Sequence, residues 1–265
     1  MEEVRVSSWG ELHERLFEGS WNPDLGVHRS DFAFRGRWDA ADDLATSLVR
    51  LGGDAATLEG HLLRNFRKYA AGDVVPADSA WNWLALGQHH GLPTRMLDWT
   101  YSPYVALHFA TTRRDRFDED GCVWMLDYVR AHELAPGELR RCLRDQGANV
   151  FTTEMLGTVA ERVQDLGELG DGFVVFVEPP SFDARIVNQY ALFSLMSRAD
   201  GSLDDWLGEH PELARRIVIP AELKWEVRDK LDQANVTERV LFPGLDGLTR
   251  WLARHYAPRL DSHPD

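Results

Sequence analysis

The sequence is short of cysteine, of basic side chains and of long apolar runs, and each shortage excludes a class of protein. Two cysteines, Cys122 and Cys142, in 265 residues exclude a disulfide framework. They show no paired metal-ligand spacing, so they suggest no zinc site either, and their scarcity fits a reducing, cytoplasmic setting. Lysine and arginine total 29 against 43 aspartates and glutamates, a formal charge of −14. Such a surface repels polyanions, which sets aside sequence-independent wrapping of nucleic acid. A compact anion is a different case, because a few arginines inside a cleft can dominate the local field. No apolar run approaches membrane-spanning length, and the opening Met1-Glu2-Glu3-Val4-Arg5 is acidic where a signal peptide is basic. Also missing are a Gly-x-Ser-x-Gly turn and any glycine cluster of the phosphate-loop or dinucleotide type. His89 and His90 adjoin without a further ligand at a convincing spacing, so no metal site is expected.

What is present is a globular composition, 44% hydrophobic and 11% aromatic, without repeats or Gly/Pro/Ser-rich linkers. The expected fold is therefore one α+β domain over residues 1–265, with a helix-rich N-terminal half and a small mixed sheet. Periodicity predicts helices over Ser8–Phe17, Ala41–Leu48, Leu58–Tyr69, Trp81–His90, Glu222–Ala234 and Leu245–Tyr256. A polar loop is expected over Gly72–Asp78. Gly91 and Pro93 close the Trp81–His90 helix, a loop runs from Leu92 to Ser102, and Ser102-Pro103 opens another helix. Strand-length runs lie at Asp31–Arg37, Cys122–Val129, Phe173–Val177, Phe193–Met196 and Ile217–Ile219. The glycine-punctuated stretch 139–172 suits an insertion or a cover segment.

Two places attract chemistry. In Phe32-Ala33-Phe34-Arg35-Gly36 the alternation of strand side chains sets Arg35 opposite the phenylalanines. A guanidinium so placed needs an anion, or an acid such as Asp98. The loop before Pro103 gathers Gln88, His89, Arg95, Asp98, Thr100 and Ser102. Either these groups line a pocket for an anionic ligand beside a helix N-terminus, or Arg95 pairs with Asp98 while Thr100 and Ser102 cap, and the corner satisfies only itself. Trp99 either stacks on a ligand base or roofs the core. Arg185, with Asn188 and Gln189 behind it, completes a polar wall if its segment folds back on the loop, and is otherwise a surface helix arginine.

Phe34-Arg35-Gly36, the run Gln88-His89-His90-Gly91-Leu92-Pro93-Thr94-Arg95-Met96-Leu97-Asp98-Trp99-Thr100, and Ala106-Leu107-His108-Phe109-Ala110 resemble the FRG domain family. Arg185-Ile186-Val187-Asn188-Gln189 and Leu241-Phe242-Pro243-Gly244-Leu245-Asp246-Gly247-Leu248 resemble its C-terminal motifs. That resemblance implies a fold family and leaves the reaction open. A second, fold-level resemblance links the strand arginine and Thr100-Tyr101-Ser102-Pro103 to the start of ADP-ribosyltransferases. It implies NAD as a substrate rather than a bound prosthetic group, with Arg35 on the pyrophosphate, Thr100 and Ser102 near the ribose, and a catalytic carboxylate for which Glu178 and Glu238 are the candidates. The expected function is thus a nucleotide-like or phosphate-bearing ligand in an arginine-lined cleft, with or without NAD chemistry. The alternative is a non-catalytic sensing or protein-interaction module.

Overall fold

The computed structural model describes residues 1–70, 78–170 and 172–258. Apart from Asp78, the polar loop expected at 72–78 lies outside them. Among these residues ten strands are formed: β1 (Glu2–Arg5), β2 (Trp21–Asn22), β3 (Val27–His28), β4 (Phe32–Arg37), β5 (Met96–Thr100), β6 (Gly121–Asp127), β7 (Phe151–Thr152), β8 (Val174–Glu178), β9 (Ala191–Met196) and β10 (Ala214–Ile219). β2 and β3 form a separate two-stranded ribbon, and the other eight make one mixed sheet in the order β1-β10-β6-β4-β5-β9-β8-β7. The α+β class therefore holds, with a sheet much larger than the small one expected. β1 and β7 escaped the sequence reading because both are edge strands without apolar alternation, each recruited by parallel pairing, β1 to β10 and β7 to β8.

Three other expectations are corrected. Met96–Thr100 is a strand rather than loop. It is buried on both faces except at Asp98, so it lacks the period-two signal. Residues 41–46 are not helical, and only Ser47–Arg50 coils, capped by Thr46. Asp39 and Asp43 take the main-chain N–H groups of Ala41 and Ala45 at 2.7 and 3.0 Å, and Asp204 takes that of Leu44 at 2.8 Å. These bonds compete with helical ones. Tyr128 and Val129, expected to end the strand run Cys122–Val129, instead open the helix Tyr128–Glu133.

Strand alternation divides the core. On one face, Ala33, Trp124, Leu126, Leu97, Trp99, Phe176 and Leu192 pack as one cluster across both halves of the sheet. On the other, the apolar side chains fall into two clusters. The first gathers Phe34, Val123 and Ile217 under the helices Trp9–Phe17, Pro103–Ala110 and Lys224–Gln233. The second gathers Met96, Val175 and Phe193 under Ala80–His89. The stretch 139–172 delivers Leu139, Phe151, Leu156, Val163 and Leu166 into this second cluster, so it is built into the packing rather than laid over it. The division between the clusters falls at the β4–β5 seam, where pairing is confined to Phe34 opposite Thr100. No helix among the described residues is long and apolar enough to cross a membrane.

Two buried histidines tie the layers together. His132 bonds the Asn149 carbonyl through Nδ1 at 2.9 Å and accepts the Phe176 N–H on Nε2 at 2.8 Å. It thus supplies an acceptor to β8 and must be neutral, since a protonated ring would set two donors against each other. Burial brings its pKa down to about 4, against the Asn149 bond that favours the proton. Burial, followed by the charge of Arg228, holds His108 at about 3. In both cases the unfolded chain takes up the proton first as pH falls below 6.5, so stability is lost on acidification, by up to about 1.4 kcal/mol per pH unit for each ring. Urea titrations across that window should show the decline, and His132→Gln should flatten it.

Candidate functional site

The site begins with a glycine. A Cβ at Gly36 would lie 1.7 Å from the Ala106 carbonyl oxygen and 2.8 Å from the Ala110 nitrogen, so the helix Pro103–Ala110 rests directly on the β4 backbone. Phe34, two residues earlier on the same face, is 1% exposed and packs against Ala106 and Ala110. Between them Arg35 leaves the strand on the other side. The Phe-Arg-Gly string thus reads physically as core anchor, cation and helix seat.

At the β4–β5 seam the Arg35 guanidinium replaces a ladder bond, with Nη1 donating to the main-chain carbonyl of Asp98 at 2.5 Å. It meets the backbone of Asp98 and not its carboxylate. Arg35 Nε is buried and unpartnered, and loss of hydration, only partly offset by the nearby Asp98 charge, lowers the arginine to about 10. The cation is therefore still charged at neutral pH and incompletely compensated.

Around it lies a cavity of about 600 Å³. Arg35, Gln88, His89, Asp98 and Thr100 line it, and Arg185 and Gln189 come to it from the opposite wall. Arg37 also reaches it but is paired with Asp42. Gln88 is locked in place. Thr94 Oγ1 accepts the Met96 N–H at 3.0 Å, so its proton goes to Gln88 Oε1 at 2.6 Å, and Gln88 Nε2 then donates to Asp98 Oδ2 at 3.0 Å. Thr100 is spent on structure, donating to the Gln189 carbonyl at 2.7 Å and accepting the Ser102 N–H at 3.0 Å. Trp99 is a core residue, its indole N–H on Ser194 at 2.8 Å and only an edge left to the cavity.

The far wall is the short helix Ala184–Asn188, capped by Asp183. Asp183 also holds His89 Nε2 at 2.8 Å, and Arg185 Nη1 donates to the His89 carbonyl at 3.2 Å. Like Arg35, Arg185 has a carbonyl partner, a buried unpartnered Nε and no ion pair among the described residues. Asn188 and Gln189 donate to the carbonyls of Val240 and Leu241 at 2.7 and 3.0 Å. Phe242 lies under the Arg185 guanidinium, 5.2 Å from ring centre to carbon. A Cβ on Gly247 would sit 1.8 Å from the Phe242 carbonyl oxygen, so that glycine lets the last helix close against the turn. The two C-terminal motifs thus bind each other and hold the wall. His108, Arg228 and Asp232 extend this anchorage. Phe242 and Gly247 were not singled out as site residues from sequence, though the motif string containing them was a usable signal.

Four expected site residues lie elsewhere. Arg95 is 3% exposed and gives its fork to Glu59, itself 1% exposed, with a further bond to the Ser197 carbonyl at 3.1 Å. It pairs with neither a ligand nor Asp98. Ser102 is the N-cap of the helix Pro103–Ala110. Glu178, at the end of β8, accepts from Tyr101 at 2.9 Å and is not a lining residue. Glu238 is also outside. Burial alone would raise it, but bonds from Arg254 at 2.7 Å bring it to about 2, an ionised and neutralised carboxylate. Among the lining residues the only carboxylate is Asp98. No group of three or more potential metal ligands occurs among the described residues.

Two substitutions test these structural assignments. Gly36→Ala drives a methyl into helix backbone and should cost about 3 kcal/mol or more, since neither partner is a side chain that can turn aside. Glu59→Ala leaves the Arg95 charge buried and alone, for an expected loss of about 3–5 kcal/mol. Chemical denaturation of each variant reads both values.

Compared with known proteins, residues 30–119 match the family model described as the FRG domain, and the chain carries an FRG domain over that stretch. No curated protein and no solved structure matches. The matched residues supply β4, β5 and the helices that seat them, whereas Arg185, Gln189 and the C-terminal corner lie beyond.

Proposed function

Taking the FRG domain as the part of the chain that builds most of the cavity, we propose that the protein binds a phosphate-bearing small molecule at the β4–β5 seam. One observation carries this reading. Arg35 and Arg185 come to one cavity from two separate walls, each with a single carbonyl bond, a buried unpartnered Nε and no carboxylate partner among the described residues. Buried guanidinium N–H groups without partners are costly, and a phosphate oxygen is the acceptor whose charge and geometry suit the fork. A volume near 600 Å³ falls within the roughly 300–1,000 Å³ of organic-ligand pockets.

Binding, rather than NAD cleavage at Glu178 or Glu238, is the function this geometry supports, because both carboxylates are engaged outside the lining. The acidic exterior does not oppose such a ligand, since its charges are screened by solvent and salt while the two arginines act at contact distance.

Thermal denaturation against rising pyrophosphate, AMP, ADP and NAD is the direct test. A ligand that binds only the folded chain stabilises it by about 2.7 kcal/mol at a hundred times its Kd. Arg35→Gln and Arg185→Gln should each remove the ligand-induced shift. Arg35→Gln should change the ligand-free melting temperature little, because it deletes a partly compensated charge but also takes the donor from the Asp98 carbonyl. A melting temperature indifferent to all four compounds would refute the proposal.

A further inference from the structure

Asp98 is the feature of the cavity that a simple anion site does not explain. Its carboxylate shares the cavity with two arginines that lack ion-pair partners, yet it pairs with neither among the described residues. Instead it is oriented by an amide. A carboxylate only accepts, so Gln88 turns its Nε2 to Asp98 Oδ2 and its Oε1 to the Thr94 hydroxyl, whose oxygen also accepts the Met96 N–H. That direction engages the Gln88 carbonyl oxygen with Thr94 and leaves Asp98, an exposed residue of the lining, with further acceptor capacity on its carboxylate. Met96 and Thr94 are buried, so the inner end of the relay is shielded from water while Gln88 is half-buried and Asp98 exposed.

The electrostatic consequence is specific. An anion on Arg35 lies near the Asp98 charge, and a bare ion would be repelled by it. A ligand that places hydroxyl donors on Asp98 while its phosphate takes the arginines converts that repulsion into two charge-assisted hydrogen bonds. Ammonium donors would suit Asp98 as well, but Arg35 and Arg185 disfavour a cation in the same space. A carboxylate meeting a pair of adjacent hydroxyls is also how acidic side chains hold ribose in nucleotide sites generally. The volume leaves room for a sugar ring beside the phosphate, and Phe34, Ile186 and Phe193 offer apolar wall to its carbon face.

We propose that Asp98 reads the vicinal hydroxyls of a ribose phosphate, so that the seam cavity selects a phosphorylated sugar of the nucleotide type over an inorganic phosphate. This rests on the anion-site reading above and adds the specificity to it. Asp98 is the discriminating residue, and Thr94 and Gln88 are positioning residues that hold its carboxylate.

Calorimetric titration of the full chain with pyrophosphate, AMP and 2′,3′-dideoxy-AMP separates the two claims. The wild-type chain should bind AMP at least about tenfold more tightly than the dideoxy compound, about 1.4 kcal/mol. In Asp98→Asn that ratio should fall to near one, while pyrophosphate binds as well or better because a negative charge has gone. Asparagine keeps the shape and an acceptor for Gln88, so its melting temperature checks that the fold is intact. Thr94→Val, which frees the Gln88 amide to turn, should reduce the ratio without abolishing pyrophosphate binding. Equal affinity for AMP and its dideoxy analogue, with pyrophosphate still bound, would overturn the inference and leave the anion site standing. Persistence of the preference in Asp98→Asn would remove Asp98 from the role, and failure of all three compounds to bind would overturn both claims.

Discussion

A carbonyl oxygen that would ordinarily belong to a β-ladder is held by a guanidinium, and the candidate site depends on that exchange. β4 and β5 meet at one residue pair and then part. Arg35 closes the gap by donating to Asp98. Had pairing continued, the seam would be filled by backbone and there would be no cavity. Had the gap been left unbridged, the Asp98 carbonyl would have lost this partner. The arrangement instead keeps the strands apart, satisfies the carbonyl and leaves most of the guanidinium for something else.

The surrounding structure serves to hold that gap in place. Gly36 admits the helix Pro103–Ala110 against one strand, and the Thr94–Gln88 relay fixes the side chain of Asp98 on the other. The opposite wall is held from the chain's far end, where the turn around Phe242 presents two carbonyls to Asn188 and Gln189. Apart from the local relay, these contacts join residues 52 or more positions apart, so the cavity is a property of the whole sheet and not of one loop. Preorganisation of this kind has a stability cost where the two arginines stay unpaired, and sites that bind charge commonly carry such a cost.

Much of this was legible before any coordinates. Helix starts at Ser8 and Ser102 were visible because hydroxyl caps and a first-turn proline act locally. Strand β4 was visible because its phenylalanines alternate, and that alternation also set Arg35 on the face opposite them, which it shares with Ala33. Strand β5 was hidden because burial on both faces erases the period, and β1 and β7 were hidden because edge strands are recruited by a neighbour rather than by their own pattern. Arg95 and Arg35 looked alike in sequence, and only the position of Glu59, 36 residues before Arg95, separates a sealed structural pair from a cation bonded to a carbonyl and only partly offset by a nearby carboxylate.

The sequence by itself determined the residue chemistry and the local geometry: which helices are capped, that position 36 carries no side chain, and that an arginine leaves β4 opposite two phenylalanines. Only the tertiary structure decided which of those arginines is satisfied, which carboxylates reach the cavity, and that the seam between β4 and β5 opens. The physical reason is range. Caps, alternation and steric freedom act over a few residues and are written into short strings, whereas charge compensation and strand separation depend on groups that meet only after the chain has closed on itself.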